Sequence, residues 1–189
     1  MAMHPKRLLG DVIGTTGNAS PLENPLDFIT DDHTREREVC ELIDKLVARS
    51  PVSPEERHMM LVFLNERLPL HLADEEIDLF PLMLKRCDPE EEIDKVITKL
   101  ESDHSHVHAD ASAIAALIEA NQTDARGFSA NACAQMEEFA YHARRHLNLE
   151  NAILLPIARA RLTQADLETM KLHMLERRGF DPAPKGATC

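Results

Sequence analysis

The sequence predicts an all-α protein, an antiparallel up-down-up-down four-helix bundle with an extra short C-terminal helix. Three observations carry that prediction. Glycine is scarce, at 6 of 189 residues, and no sustained alternating run of β-branched residues occurs, so the signature of a sheet is missing. Apolar residues recur instead at spacings of three and four over long stretches. Helix start signals, a capping residue followed by proline or by an acid three residues on, stand at the heads of those stretches.

Residues 1–23 hold Gly10, Gly14, Gly17 and Pro21 without helical period and read as an N-terminal arm or tail. Asn24 before Pro25 then opens a first helix that runs to about Ser50, with Phe28, Ile29, Cys40, Ile43 and Val47 near one stripe. Ser53-Pro54-Glu55-Glu56 is a capping box, and the second helix follows it to about Arg86, bent at Pro69 and Pro81. Asp88-Pro89-Glu90-Glu91 repeats the signal and opens a third helix through Ile93, Val96, Ile97, Leu100, Val107, Ile114 and Leu117 to about Asn121. After NQTDARG, a fourth helix spans about Ser129 to Leu162. The bundle is thus expected over residues 24–162. Thr163 with Asp166 caps the additional helix of 163–179, and 180–189 reads as a flexible tail.

Composition limits the function. A formal net charge of -12 argues against nucleic acid or an anionic membrane surface as partner, since both need a basic face. Thirty-three acidic residues suit a protein that handles cations, although most are expected to be solvated. Cys40, Cys87, Cys133 and Cys189 form no CxxC pair or cluster and read as reduced thiols. The first residues lack a secretory apolar stretch, and no segment reaches the roughly 20 apolar residues of a membrane span. The expected location is the cytoplasm.

The most informative feature is an internal echo. HLADEEIDLFP (71–81) and HLNLENAILLP (146–156) share His, Leu, Glu, Leu and Pro at the same positions. Residues four apart on a helix lie on one face, so His71 with Glu75, and His146 with Glu150, can reach one metal ion, or the carboxylate can bridge two. Four-helix di-metal proteins draw ligands inward from facing helices in this way. Histidine with carboxylate suits iron, manganese or zinc.

The helix lengths close the geometry. His33 and His71 each lie about 17 residues from the first turn. His71 and His104 lie about 15 from the second, and His104 and His146 about 17 from the third. At about 1.5 Å per residue the four histidines share one layer. His108, one turn after His104, is a further candidate. It precedes His146 by 38 residues, the same separation as His33 to His71. Glu76 and Asp74 are expected to face solvent or to orient ligand histidines. His106 is expected to be solvated.

DFITDDHTRER (27–37), LPLHLADEEIDLFPLM (68–83), SDHSHVH (102–108) and RRHLNLENAILLPIA (144–158) together resemble the hemerythrin-like, or HHE cation-binding, domain family over roughly residues 25–160. The resemblance implies a non-haem di-iron centre, with two iron ions as cofactors. His33 and His71 would sit on one iron and His104, His108 and His146 on the other, with Glu75 and Glu150 bridging; manganese or zinc would fit the same donors. In oxygen-carrying hemerythrins the last carboxylate comes five residues after its histidine. Here that position is Asn151, which is more like the sensor and iron-repair branches and argues against reversible oxygen transport.

The expected function is therefore a metal-binding or sensing protein whose partner is a small ligand such as oxygen, nitric oxide or peroxide, or one that handles iron. The alternatives are a di-iron enzyme acting on peroxide or a small oxidisable substrate, and a metal-free helical interaction module.

Overall fold

The structure, a computed structural model, describes residues 22–121 and 127–180. Among the described residues the secondary structure is all helical, with no strand. The expectations for residues 1–21 and 181–189 lie outside them; at their edges, Leu22 is buried and Phe180 is exposed.

Helix α1 (Pro25–Val47) begins where expected. The Asn24 side chain accepts the Leu26 N–H, and Pro25 needs no donor at its position. Its buried stripe runs through Leu26, Ile29, His33, Glu36, Cys40 and Ile43. The second rod, residues 54–86, starts at the Ser53–Glu56 capping box. It is built from α2 (Pro54–Val62), α3 (Leu68–Asp74) and α4 (Phe80–Arg86), joined by π-helical turns at Phe63–Arg67 and Glu75–Leu79. α5 is Ile93–Ala120. α6 (Ala130–Leu149) starts with Ser129 accepting the Ala132 N–H, and a π turn at Glu150–Leu154 carries it into α7 (Leu155–Arg161). α8 (Gln164–Arg177) opens at the Thr163–Asp166 capping box.

Two details add to or alter the expected helices, each for a physical reason. Pro69, Pro81 and Pro156 lie within their rods as expected, each just after a π turn. In each case the N–H just before the proline reaches back five residues: Leu68 to Phe63, Phe80 to Glu75 and Leu155 to Glu150. The widened turn relieves the clash that a proline ring makes with the carbonyl four residues earlier. The Asp88–Glu91 box caps only a 3₁₀ turn, Pro89–Glu91; Glu92 then adopts a left-handed φ of 50°, and α5 starts afresh at Ile93.

α1 and α5 both pack on α6, α2 packs on α5, and α4 touches α5 and α7. The apolar interior falls into two clusters. One takes Cys40 and Ile43 of α1, Phe63, Leu68 and Leu72 of the second rod, Ile114 and Ile118 of α5, and Met136 and Phe139 of α6. The other takes Leu26 and Ile29, Phe80 and Met83, Ile97 and Leu100, and Leu154 of the π turn, with Met170 and Met174 of α8. Along the four rods, where one cluster gives way to the other, lie buried polar residues that include His33, His71 and Glu75, His104, and His146 and Glu150.

Among the described residues no helix is long and apolar enough to cross a membrane. Cys40, Cys87 and Cys133 are free thiols, the first of them buried.

Candidate metal centre

The repeated motif places each histidine at the end of an α segment and its glutamate at the first residue of a π turn. His71 lies in α3 with Glu75 opening Glu75–Leu79, and His146 lies in α6 with Glu150 opening Glu150–Leu154. A π turn interrupts the regular ladder and is frequent at functional sites. Here it lets the carboxylate point inward over a downstream proline.

Six side chains converge. His33 Nε2 lies 3.2 Å from Glu150 Oε2 and 3.5 Å from Glu75 Oε1. His71 Nε2 and His104 Nε2 approach Glu75 Oε2 at 3.6 and 3.5 Å. His146 Nε2 is 3.0 Å from both Glu150 Oε1 and His104 Nε2. The donors fall into two groups able to hold a metal ion: His33, His71, Glu75 and Glu150, and Glu75, His104, His146 and Glu150. Within each group the ligand atoms lie within 4.8 Å of one another. Both glutamates belong to both groups, the placement a bridging carboxylate requires.

His108 is not brought to this centre. One turn beyond His104, its side chain is exposed on α5 and belongs to neither group. Four residues advance a helix by about 400°, so each turn carries the side chain about 40° off the face; at His104 that face meets the interior, and at His108 it has turned to solvent. His106 is exposed as expected.

The outer nitrogens of two rings each meet a side chain. Glu76 Oε1 lies 2.8 Å from His104 Nδ1 and accepts its N–H, leaving Nε2 turned inward. Asn151 occupies the equivalent position of the second motif copy. Its amide nitrogen lies 2.9 Å from His33 Nδ1 and donates to the Leu147 carbonyl at 2.6 Å. Sequence reasoning registered Asn151 only as a missing carboxylate. The alignment of the two copies, Glu76 with Asn151, was the signal that would have found its role. Asp74 is buried rather than solvated: Arg177 Nε donates to it at 2.9 Å and Arg178 Nη2 at 2.6 Å, which ties α8 to the motif.

Burial and the mutual charges of the six side chains set the electrostatics of the layer. Burial pushes the imidazoles of His71, His33 and His104 below their ordinary range. Burial, then the Glu150 charge, holds the Glu75 carboxyl well above its usual range. Burial works to raise Glu150 as well, but His146, and then His33 and His71, bring it below the usual carboxylate range. Burial works to lower His146, yet the facing Glu150 leaves it raised. His33 Nε2, both ring nitrogens of His71, His146 Nδ1 and all four oxygens of Glu75 and Glu150 are buried without an aligned hydrogen bond. Buried polar atoms are almost always satisfied, and a cation among them satisfies this set at once. A further buried acid, Glu36, lies one turn after His33; burial lifts its carboxyl to about 8.

The sequence model of the hemerythrin HHE cation binding domain matches residues 24–158, a span that contains all six converging side chains. Comparison with curated proteins returned no match.

Proposed function

Because the chain belongs to the hemerythrin HHE cation binding family, we propose that it is a non-haem di-iron binding protein. In this reading it binds or senses a small diatomic or reactive species such as oxygen, nitric oxide or peroxide, or it handles iron. The observation that carries the reading is the pair of four-residue donor groups sharing Glu75 and Glu150. Two histidines remain to each position, one from each of two rods. Nitrogen and oxygen donors of this kind suit iron, with manganese and zinc as competitors. An up-down-up-down course is supported by the order in which successive rods visit the two apolar clusters, which reverses from each rod to the next.

An iron pair, when bound, supplies a position for a small ligand and reversible electron storage. The chain's own contribution is to aim and shield. Glu76 fixes the ring of His104, and Asn151 holds that of His33. The two apolar clusters close off the layer from either end, which strengthens every charge interaction inside it. Asn151 is an amide engaged with His33, so the position supplies no late carboxylate of the oxygen-carrier kind.

Metal analysis of protein purified aerobically, with its visible absorption spectrum, tests the proposal. Two irons per chain are expected, falling sharply in His71→Ala and His146→Ala. Unchanged metal content in both variants would overturn the assignment.

A second reading, a di-iron enzyme acting on peroxide or a small oxidisable substrate, is favoured by Glu36. This carboxyl is 3% exposed and lies outside the two donor groups; burial strengthens its hold on a proton, and it can serve as a proton donor. If turnover of peroxide exists, Glu36→Gln should lower it by at least tenfold with iron content unaltered.

A further inference from the structure

A surface recess of about 440 Å³ opens between α5 and α6. Its wall carries the acids Asp103, Asp110 and Glu138 and the histidines His106 and His142, and the imidazole of His146 forms part of its lining. That ring, 5% exposed, separates the recess from the donor layer. Its Nε2 lies in the layer, 3.0 Å from Glu150 Oε1. Its Nδ1 is buried without a hydrogen-bond partner and lies 3.9 Å from Oδ2 of Asp103, a wall residue. The ring thus presents one nitrogen to each side.

The charge of the recess selects its occupant. Lys99 pairs with Oδ1 of Asp103, leaving Oδ2 toward His146. Glu138 stands 3.9 Å from His142. Among the described residues no lysine or arginine lines the recess. A concave wall of one sign focuses the field and concentrates ions of the other sign. The volume accommodates a cation together with its water shell, and the histidines can take over as that water is shed.

We infer that this recess is a capture site for a hydrated divalent cation on its way to the buried donors, with His146 as the partition through which it passes. The inference rests on the metal-binding reading above. It assigns that function one route of loading, on the α5–α6 face. The carboxylates of Asp103, Asp110 and Glu138 draw the cation into the recess while it is still hydrated, and it passes the His146 ring to reach the layer.

Stopped-flow mixing of metal-free protein with cobalt(II) at low ionic strength tests it. The loading rate should fall steeply with added salt. Asp110→Asn with Glu138→Gln, two exposed substitutions outside the donor layer, should slow loading about fivefold and flatten the salt dependence, with stoichiometry and final spectrum retained. Asp110→Lys alone should slow loading by more than Asp110→Asn. A control removing as many charges elsewhere, Glu90→Gln with Glu168→Gln, should load at the wild-type rate. Loading of the recess variants at the wild-type rate, or equal slowing in the control, overturns the capture site while the metal centre stands. A wild-type protein that takes up no cobalt overturns both.

Discussion

Glu75 is a carboxyl among imidazoles and a second carboxylate, and burial followed by the Glu150 charge raises its affinity for a proton. A metal ion takes the carboxylate form, so the proton must leave. The sign follows directly: metal uptake releases protons, and affinity climbs as pH rises. Calorimetric titration with zinc in buffers of different ionisation enthalpy should show net release near neutrality, and Glu75→Gln should reduce it. The residues that make this cage were legible in the sequence because His-x-x-x-Glu occurs twice with the same flanking leucines and proline. His108 misled for a definite reason. A separation of 38 residues matches position along a rod, but the direction a side chain faces depends on rotation about the helix, which spacing from another rod does not fix.

At the scale of elements, α8 is fastened to the motif it backs. Asp74, fully buried, receives Arg177 and Arg178, and Asp78 receives Arg177 and His173. Removing one partner of a buried ion pair leaves the others uncompensated. Asp74→Asn should therefore destabilise the protein by about 3 kcal/mol in chemical unfolding. The Ser53 cap is worth less, and Ser53→Ala should cost about 1 kcal/mol. Helix starts were readable from the sequence because caps are local chemistry: Asn24, Ser53, Ser129 and Thr163 all accept the bonds expected of them. The π turns were not, since a proline inside an apolar period is equally compatible with a stop, a kink or a widened turn. Which one forms depends on what the neighbouring rods require of Phe80 and Leu155. Nor was the Glu92 break legible, because Asp88–Glu91 caps a 3₁₀ turn and an α-helix with the same residues.

For the molecule as a whole, stability should depend on acid in a way set by Asp166. Arg86 above all, then the Thr163 cap against an opposing burial effect, holds this carboxyl below its usual range. A carboxyl with a depressed folded-state value stabilises the fold above its unfolded value of about 3.9 and loses that contribution as pH falls below it. The urea concentration needed for unfolding should fall from pH 6 to pH 3, and the change should be smaller in Asp166→Asn. The helical class was foreseeable from composition, periodicity and caps, and the polar layer at mid-rod from the repeated motif and the helix lengths, whereas the buried role of α8 was not, because its ion pairs join residues about a hundred positions apart.

One pairing seen at the site reaches beyond it. The outer face of His104 is held by an anion, Glu76, and that of His33 by a neutral amide, Asn151. An imidazole backed by a carboxylate is the stronger donor, and an amide can turn over to serve either tautomer of its ring where Glu76 serves one. A nearly symmetric cage thus carries a built-in inequality. Two ions entering it should not bind alike: titration with zinc should resolve a tighter and a weaker event, the tighter at the His104 and His146 position. Glu76→Gln should draw the two affinities together, so that one charge, on the outside of the cage, sets the order in which it fills.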